Sequence, residues 1–226
     1  IDINMTLIIK NLPKTLTLVV LILLIYSCNT NSQNTEWVIA DLAKNQSNNI
    51  EISGNPKVVS SPYGKAVYFN GIDDAYFLKE MPLKSLEEFT VEMIFNPEAN
   101  SPFEQRILHF GEVSNDRMLL EIRAVGNNWY FDGFAASGEN KLALIDENLI
   151  HPLNQWYHVA FVVTANSLTT YVNGKQELHE SYTFKPIETG QSSVGVRLNK
   201  RSWFKGSIYK IKVTPKQLNP NNFMSF

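Results

Sequence analysis

The chain has 226 residues, and its 20 Lys+Arg against 22 Asp+Glu leave a formal net charge of −2. With the lysines scattered, there is no basic face to grip phosphates, so a nucleic-acid partner is not expected. A single cysteine excludes a disulfide framework and leaves the fold dependent on its apolar core.

At the N-terminus, Lys10 and Lys14 precede the apolar run Leu16–Ile25, which ends at Tyr26, Ser27 and Cys28. The run is shorter than the ~20 apolar residues of a membrane-spanning helix, and with its positive flank it has the form of a secretory signal. Met5 is the expected start, with Ile1–Asn4 upstream of it. Ile25-Tyr26-Ser27-Cys28 resembles the lipobox of bacterial lipoproteins, although Tyr26 is bulkier than the usual residue there. That resemblance implies cleavage before Cys28, a diacylglycerol on its thiol and acylation of the new amino terminus. Several acyl chains anchor stably where a single chain binds only marginally. Residues 1–27 are thus assigned to the signal peptide and upstream residues, and 28–35 to a lipidated cysteine with a polar, flexible tether. The expected location is the bacterial cell envelope, at the outer membrane or cell surface, with the lipid anchor as the only membrane contact. A secreted protein with an unpaired thiol is the alternative.

Residues 36–226 suit one all-β domain. Phe89–Phe95 alternates, with Phe89, Val91, Met93 and Phe95 on one face, and Met118–Arg123, Trp156–Thr164, Leu168–Val172 and Ser207–Val213 show the same period of two. Between them, Asn70-Gly71, Gly126-Asn127, Asn173-Gly174 and Lys205-Gly206 are turn signals. Short strands punctuated in this way predict a two-sheet antiparallel jelly-roll sandwich.

Five segments sharpen this. They are Trp37 with Asp41 and Ala66–Tyr76; Phe89-Thr90-Val91-Glu92; Trp156-Tyr157-His158-Val159-Ala160; Tyr171-Val172-Asn173-Gly174; and Phe204-Lys205-Gly206-Ser207-Ile208. In this order they resemble the concanavalin A-like, laminin-G-like jelly rolls, in the bacterial branch related to pentraxins. The resemblance spans about Trp37 to Pro215. It implies a fold that hosts lectins, glycosidases, lyases and adhesion modules, so function depends on the site.

For catalysis, the Glu-x-Asp-x-x-Glu spacing of jelly-roll glycosidases is missing: Asp146 and Glu147 are neighbours that point to opposite faces, and Glu112 and Asp116 span a loop. Gln105, Arg106 and His109 imitate part of a lyase set, but the odd spacing of Arg106 and His109 predicts opposite faces of a regular strand. No catalytic residue is assigned. For metal, Asp73 and Asp74 after the Asn70-Gly71 turn are the candidate ligands of a structural Ca²⁺, with turn capping as the competing role. The pentraxin resemblance adds Asn115 and Asp116 as ligand-binding candidates. At the second calcium cluster, near Leu198–Arg201, Lys200 and Arg201 would repel the cation, and Tyr209 stands where the family commonly has aspartate. His109, His151, His158 and His179 lack metal-ligand spacing.

Aromatic residues stack on sugar rings. Trp203 with Arg201, and Trp129, are the candidate platforms; packing between the sheets is the competing assignment for Trp129, Phe131 and Trp156. The expected function is a lipid-anchored, non-catalytic envelope protein that binds glycan. The alternative is a structural or adhesive module whose partner is an envelope protein.

Overall fold

The alternating segments become sixteen strands in the computed structural model, which describes residues 33–42, 44 and 49–226. In chain order they are β1 (Thr35–Val38), β2 (Ile50–Ser53), β3 (Lys57–Ser61), β4 (Gly64–Asn70), β5 (Ala75–Leu78), β6 (Phe89–Pro97), β7 (Glu104–Gly111) and β8 (Arg117–Val125). There follow β9 (Asn128–Ser137), β10 (Asn140–Ile145), β11 (His151–Pro152), β12 (Tyr157–Val163), β13 (Ser167–Val172), β14 (Lys175–Ser181), β15 (Gln191–Val194) and β16 (Lys205–Thr214). Among the described residues, helix is confined to α1 (Ile39–Leu42) and a 3-10 turn at Pro220–Asn222. The signal segment and Cys28 lie outside the described residues. Thr35, assigned above to the tether, already pairs with Val213 at the start of β1.

The strands form two antiparallel sheets of eight. The first runs β14-β13-β12-β6-β16-β4-β3, with β1 also on β16; the second runs β10-β9-β8-β7-β15-β5-β2, with β11 also on β9. Phe69, Phe89, Phe95, Phe161 and Phe204 from the first sheet and its approach loop meet Tyr76, Phe110, Ile122 and Trp129 from the second, all essentially without exposure. Alternation assigns these residues inward because each strand has one face against the opposite sheet. The expected jelly-roll sandwich is thus the observed architecture.

The turn expectations hold at Gly71, Gly126 and Gly174, which have φ of 77°, 59° and 75°. Lys205-Gly206 is different: it lies inside β16, and a Cβ on Gly206 would sit 2.3 Å from Asn96 O. That glycine serves a close approach of backbones and makes no turn.

Two irregularities aim side chains. β16 shifts register between Ile208 and Lys210 against β6, leaving Tyr209 as the extra residue. β7 shifts between Arg106 and Leu108 against β8, leaving Ile107 as the extra residue. A bulge of this kind re-aims the side chains beyond it.

Candidate functional site on the outer face of the second sheet

Period-two alternation sends Met118, Leu120 and Ile122 of β8 into the core and Arg117, Leu119, Glu121 and Arg123 outward. On β9, Trp129, Phe131 and Ala135 go inward, leaving Tyr130, Asp132 and Phe134 on the outer face. Pairing then aligns these residues in rows across the sheet. One row is Arg106, Glu121, Asp132 and Ile145; the next is Phe77, Ser193, His109, Leu119, Phe134 and Ala143. The bulge at Ile107 puts Arg106 and His109 on the same face, since their partners Glu121 and Leu119 are two residues apart on an unbroken strand. This corrects the opposite-face expectation, whose premise was a regular strand.

The first row is a charged lattice. Arg106 Nε donates to Glu121 Oε1 at 2.9 Å, and Arg123 Nη1 and Nη2 donate to Glu121 Oε2 at 3.1 Å. Arg123 also pairs with Asp132 at 2.5 Å, and Arg106 with Glu104. The Glu121 and Asp132 side chains are only 3% and 4% exposed, so their charges are compensated by the arginines and little by water. Burial pushes both carboxyls above the usual carboxylate range, and Asp132 adds to that for Glu121, against the pull of the two arginines. The paired carboxylates face each other across two strands, which a search for spacing along one strand does not detect.

Two loops border this face. Ser202 holds the 196–203 loop to the end of β7 by accepting from Arg106 Nη1 at 2.9 Å and donating to Glu104 Oε1 at 3.1 Å. On either side of Ser202, Arg201 is exposed and Trp203 half-buried. At the opposite end of β7, the 112–116 loop carries Asn115 and Asp116. Asn115 Nδ2 donates to Glu112 at 2.6 Å, and Asp116 Oδ1 accepts from the Gly138 backbone at 2.8 Å. Together with Ser114, Ala136, Gly138 and Lys141, Asn115 and Asp116 line a cavity of about 280 Å³. His109 joins the two loops: its Nε2 bonds the Glu112 carbonyl at 2.9 Å, and its Nδ1 accepts from the Leu198 N–H at 3.4 Å. The ring is therefore the neutral Nε2–H tautomer. Burial, aided by the nearby Arg197, Arg117 and Arg106, lowers its pKa to about 4, while the bond to Glu112 opposes the shift.

Trp129 is corrected. It is 0% exposed and packs against His151, Tyr157 and Phe95 with ring centroids at 4.9, 5.0 and 5.3 Å, so it is a core residue and offers no face to a sugar. Trp156, assigned above to the space between the sheets, is half-buried outside them, with Tyr63 edge-on at 5.7 Å. Tyr63 also lies 5.7 Å from Tyr209, making an aromatic patch on the outer face of the first sheet.

Asp73 and Asp74 show the turn-capping contacts that compete with calcium binding. Asp74 is buried, and its two oxygens accept from the backbone N–H groups of Asn55 and Asn70 at 2.7 and 3.0 Å. Asp73 Oδ1 accepts from Asn70 Nδ2 at 2.8 Å, and Lys57 lines the adjoining cavity of about 510 Å³. Among the described residues, no group of three or more His, Cys, Asp or Glu is placed to hold a metal ion. Asp74 ties the β2–β3 turn to the β4–β5 turn, a capping role that satisfies buried N–H donors.

Residues 69–222 match the family model of the concanavalin A-like lectin/glucanases superfamily, in its laminin-G group. The chain belongs to that superfamily. Among solved members of similar fold, domain 4 of an extracellular arabinanase from Geobacillus stearothermophilus, in complex with arabinotriose, has a TM-score of 0.60 at 19% identity, covering 76% of this chain and 84% of that one. The binding domain of botulinum neurotoxin DC, in complex with SialylT, has a TM-score of 0.55 at 10% identity over 76% of this chain. The chain spans only 44% of that binding domain. A tailspike protein from an Escherichia coli bacteriophage has a TM-score of 0.58 at 12% identity, covering 77% of this chain and 26% of that one. At these identities the likeness is one of fold. No curated protein sequence matches the chain.

Within this superfamily fold, the lattice residues Arg106, Glu121, Arg123 and Asp132 are absent from the sequence-derived candidates as a site. Their signal was nonetheless present: Arg117-x-Leu119-x-Glu121-x-Arg123 and Tyr130-x-Asp132-x-Phe134 have the period of two that shares one face.

Proposed function

We propose that this protein is a non-catalytic carbohydrate-binding module, held at the bacterial envelope through lipid on Cys28. The observation that carries the binding assignment is the outer face of the second sheet, where the charged lattice of Arg106, Glu121, Arg123 and Asp132 is bordered by the 196–203 loop with its exposed Arg201 and half-buried Trp203. Fixed charged donors and acceptors match sugar hydroxyls, and aromatic faces match the apolar side of the ring. The arabinotriose complex and the SialylT complex of the structural neighbours support this reading.

The lattice argues for binding over cleavage. A glycosidase needs one carboxyl free to deliver a proton and another free to attack or to activate water. Here Glu121 is held by Arg106 and Arg123, and Asp132 by Arg123, so each carboxyl has a fixed cationic partner.

The test is a glycan array probed with the full chain in detergent. Binding to a defined glycan class is expected, without cleavage, and Trp203→Ala and Arg201→Ala should each weaken it several-fold. Failure of every glycan to bind would sink the reading. The adhesive alternative would then gain ground, because the Tyr63–Trp156–Tyr209 patch is an aromatic surface outside the core.

A further inference from the structure

The four arginines of this face fall into two classes. Arg106 and Arg123 are neutralised by Glu104, Glu121 and Asp132. Among the described residues, Arg117 and Arg197 form no ion pair. Their contacts are backbone carbonyls of one loop: Arg117 Nη1 donates to Ser114 O at 2.8 Å and Asn115 O at 2.7 Å, and Arg197 Nη2 to Val113 O at 2.7 Å. Carbonyls orient a guanidinium without cancelling its charge. Each group also has a buried Nε with no partner, so part of its donor set is unsatisfied.

The two guanidiniums converge on the consecutive carbonyls of Val113, Ser114 and Asn115, and both act on His109. Arg117 Cζ lies 4.8 Å from the Phe134 ring centroid, a cation–π contact that restrains the side chain. Two carboxylates share this loop without touching either guanidinium: Glu112 accepts from Asn115 and Thr189, and Asp116 from the Gly138 N–H, so they offset part of the local positive charge and leave both arginines without a carboxylate contact. Two partly buried like charges held side by side raise the energy of the free protein, and an oxyanion between them would lower it.

We propose that Arg117 and Arg197 form a subsite for the anionic group of an acidic glycan, a carboxylate or a sulfate on a sugar. This rests on the glycan-binding reading and adds charge selectivity to it. The planar forks of two guanidiniums match a planar carboxylate or one edge of a sulfate, whereas neutral hydroxyls leave the charge uncompensated.

The test titrates the full chain with oligogalacturonate, sialyllactose and chondroitin sulfate, using methyl-esterified oligogalacturonate and lactose as neutral counterparts. At least one acidic probe should bind roughly tenfold or more tightly than its neutral counterpart, as the loss of a charged hydrogen bond implies. A response to oligogalacturonate or sialyllactose indicates carboxylate, whereas a response to chondroitin sulfate, which carries both groups, indicates sulfate only where desulfated chondroitin fails to bind. Arg197→Gln removes one carbonyl contact from a half-buried side chain, so its thermal midpoint should stay near that of the parent while the acid preference disappears. Arg197→Lys should retain part of that preference, and Arg117→Gln gives an independent readout. Equal binding of acidic and neutral probes, or an acid preference that survives both glutamine variants, would overturn the subsite and leave glycan binding standing. No binding to any probe, nor to the wider array, would overturn both.

Discussion

His109 shows how one side chain couples a strand to two loops. It is fully buried on the face that carries polar residues, and its two nitrogens hold Glu112 and Leu198, one from each bordering loop. Its pKa, lowered from 6.5 to about 4, is a statement about stability. A depressed folded-state value means that the contribution is fully present above pH 6.5 and is lost as pH falls through about 4. The loss is on the order of 3 kcal/mol for a shift of this size. Protonation at Nδ1 would also cost the Leu198 N–H its acceptor, loosening the 196–203 loop. Glu121 and Asp132 act in the opposite sense, because their raised values favour the protonated, low-pH form. The His109→Gln variant separates the two: urea unfolding between pH 7 and pH 4 should show a flatter decline than the parent. Parallel profiles would show that His109 does not titrate as described.

At the scale of elements, the two sheets are brought together by a few close approaches. Gly133 of β9 faces inward, and a Cβ there would lie 2.9 Å from Thr170 Cγ2 and 3.0 Å from Phe161 Cε2 across the core. Gly133→Ala should therefore destabilise the domain by about 1–3 kcal/mol, through overpacking in an interior with few voids. Chemical denaturation measures this directly, and an unchanged midpoint would show that the sheets can separate without cost. The bulge at Ile107 works at the same scale. The alternation of β8 and β9 was readable from residue types, yet the face shared by Arg106 and His109 was not. One extra residue in β7 reverses the parity of everything after it, and no local residue type announced it.

For the molecule as a whole, the proposed lipid anchor is tested apart from the proposed binding face. Cys28 is the chain's single cysteine, so no intrachain disulfide competes for its thiol. Cys28→Ser should move the protein from the membrane fraction to the soluble fraction of the expressing bacterium and abolish incorporation of labelled fatty acid. Continued membrane association without label would refute lipid anchoring. The core itself, from Trp37 to Leu218, is built from residues whose inward assignment follows their period along each strand.

The sequence alone determined the strand content, the main turns and the superfamily, because alternation, turn chemistry and ordered motifs are local properties written in neighbouring residues. It also marked Arg201 and Trp203 as a loop pair and Asn115 with Asp116 as another. Only the tertiary structure decided that Trp129 is core, that Asp74 caps a turn, and that Glu121 meets Asp132 between two arginines while Arg117 and Arg197 have no such partner. These depend on cross-strand register and on which face of a sheet is covered, and both are settled by residues far apart in the chain.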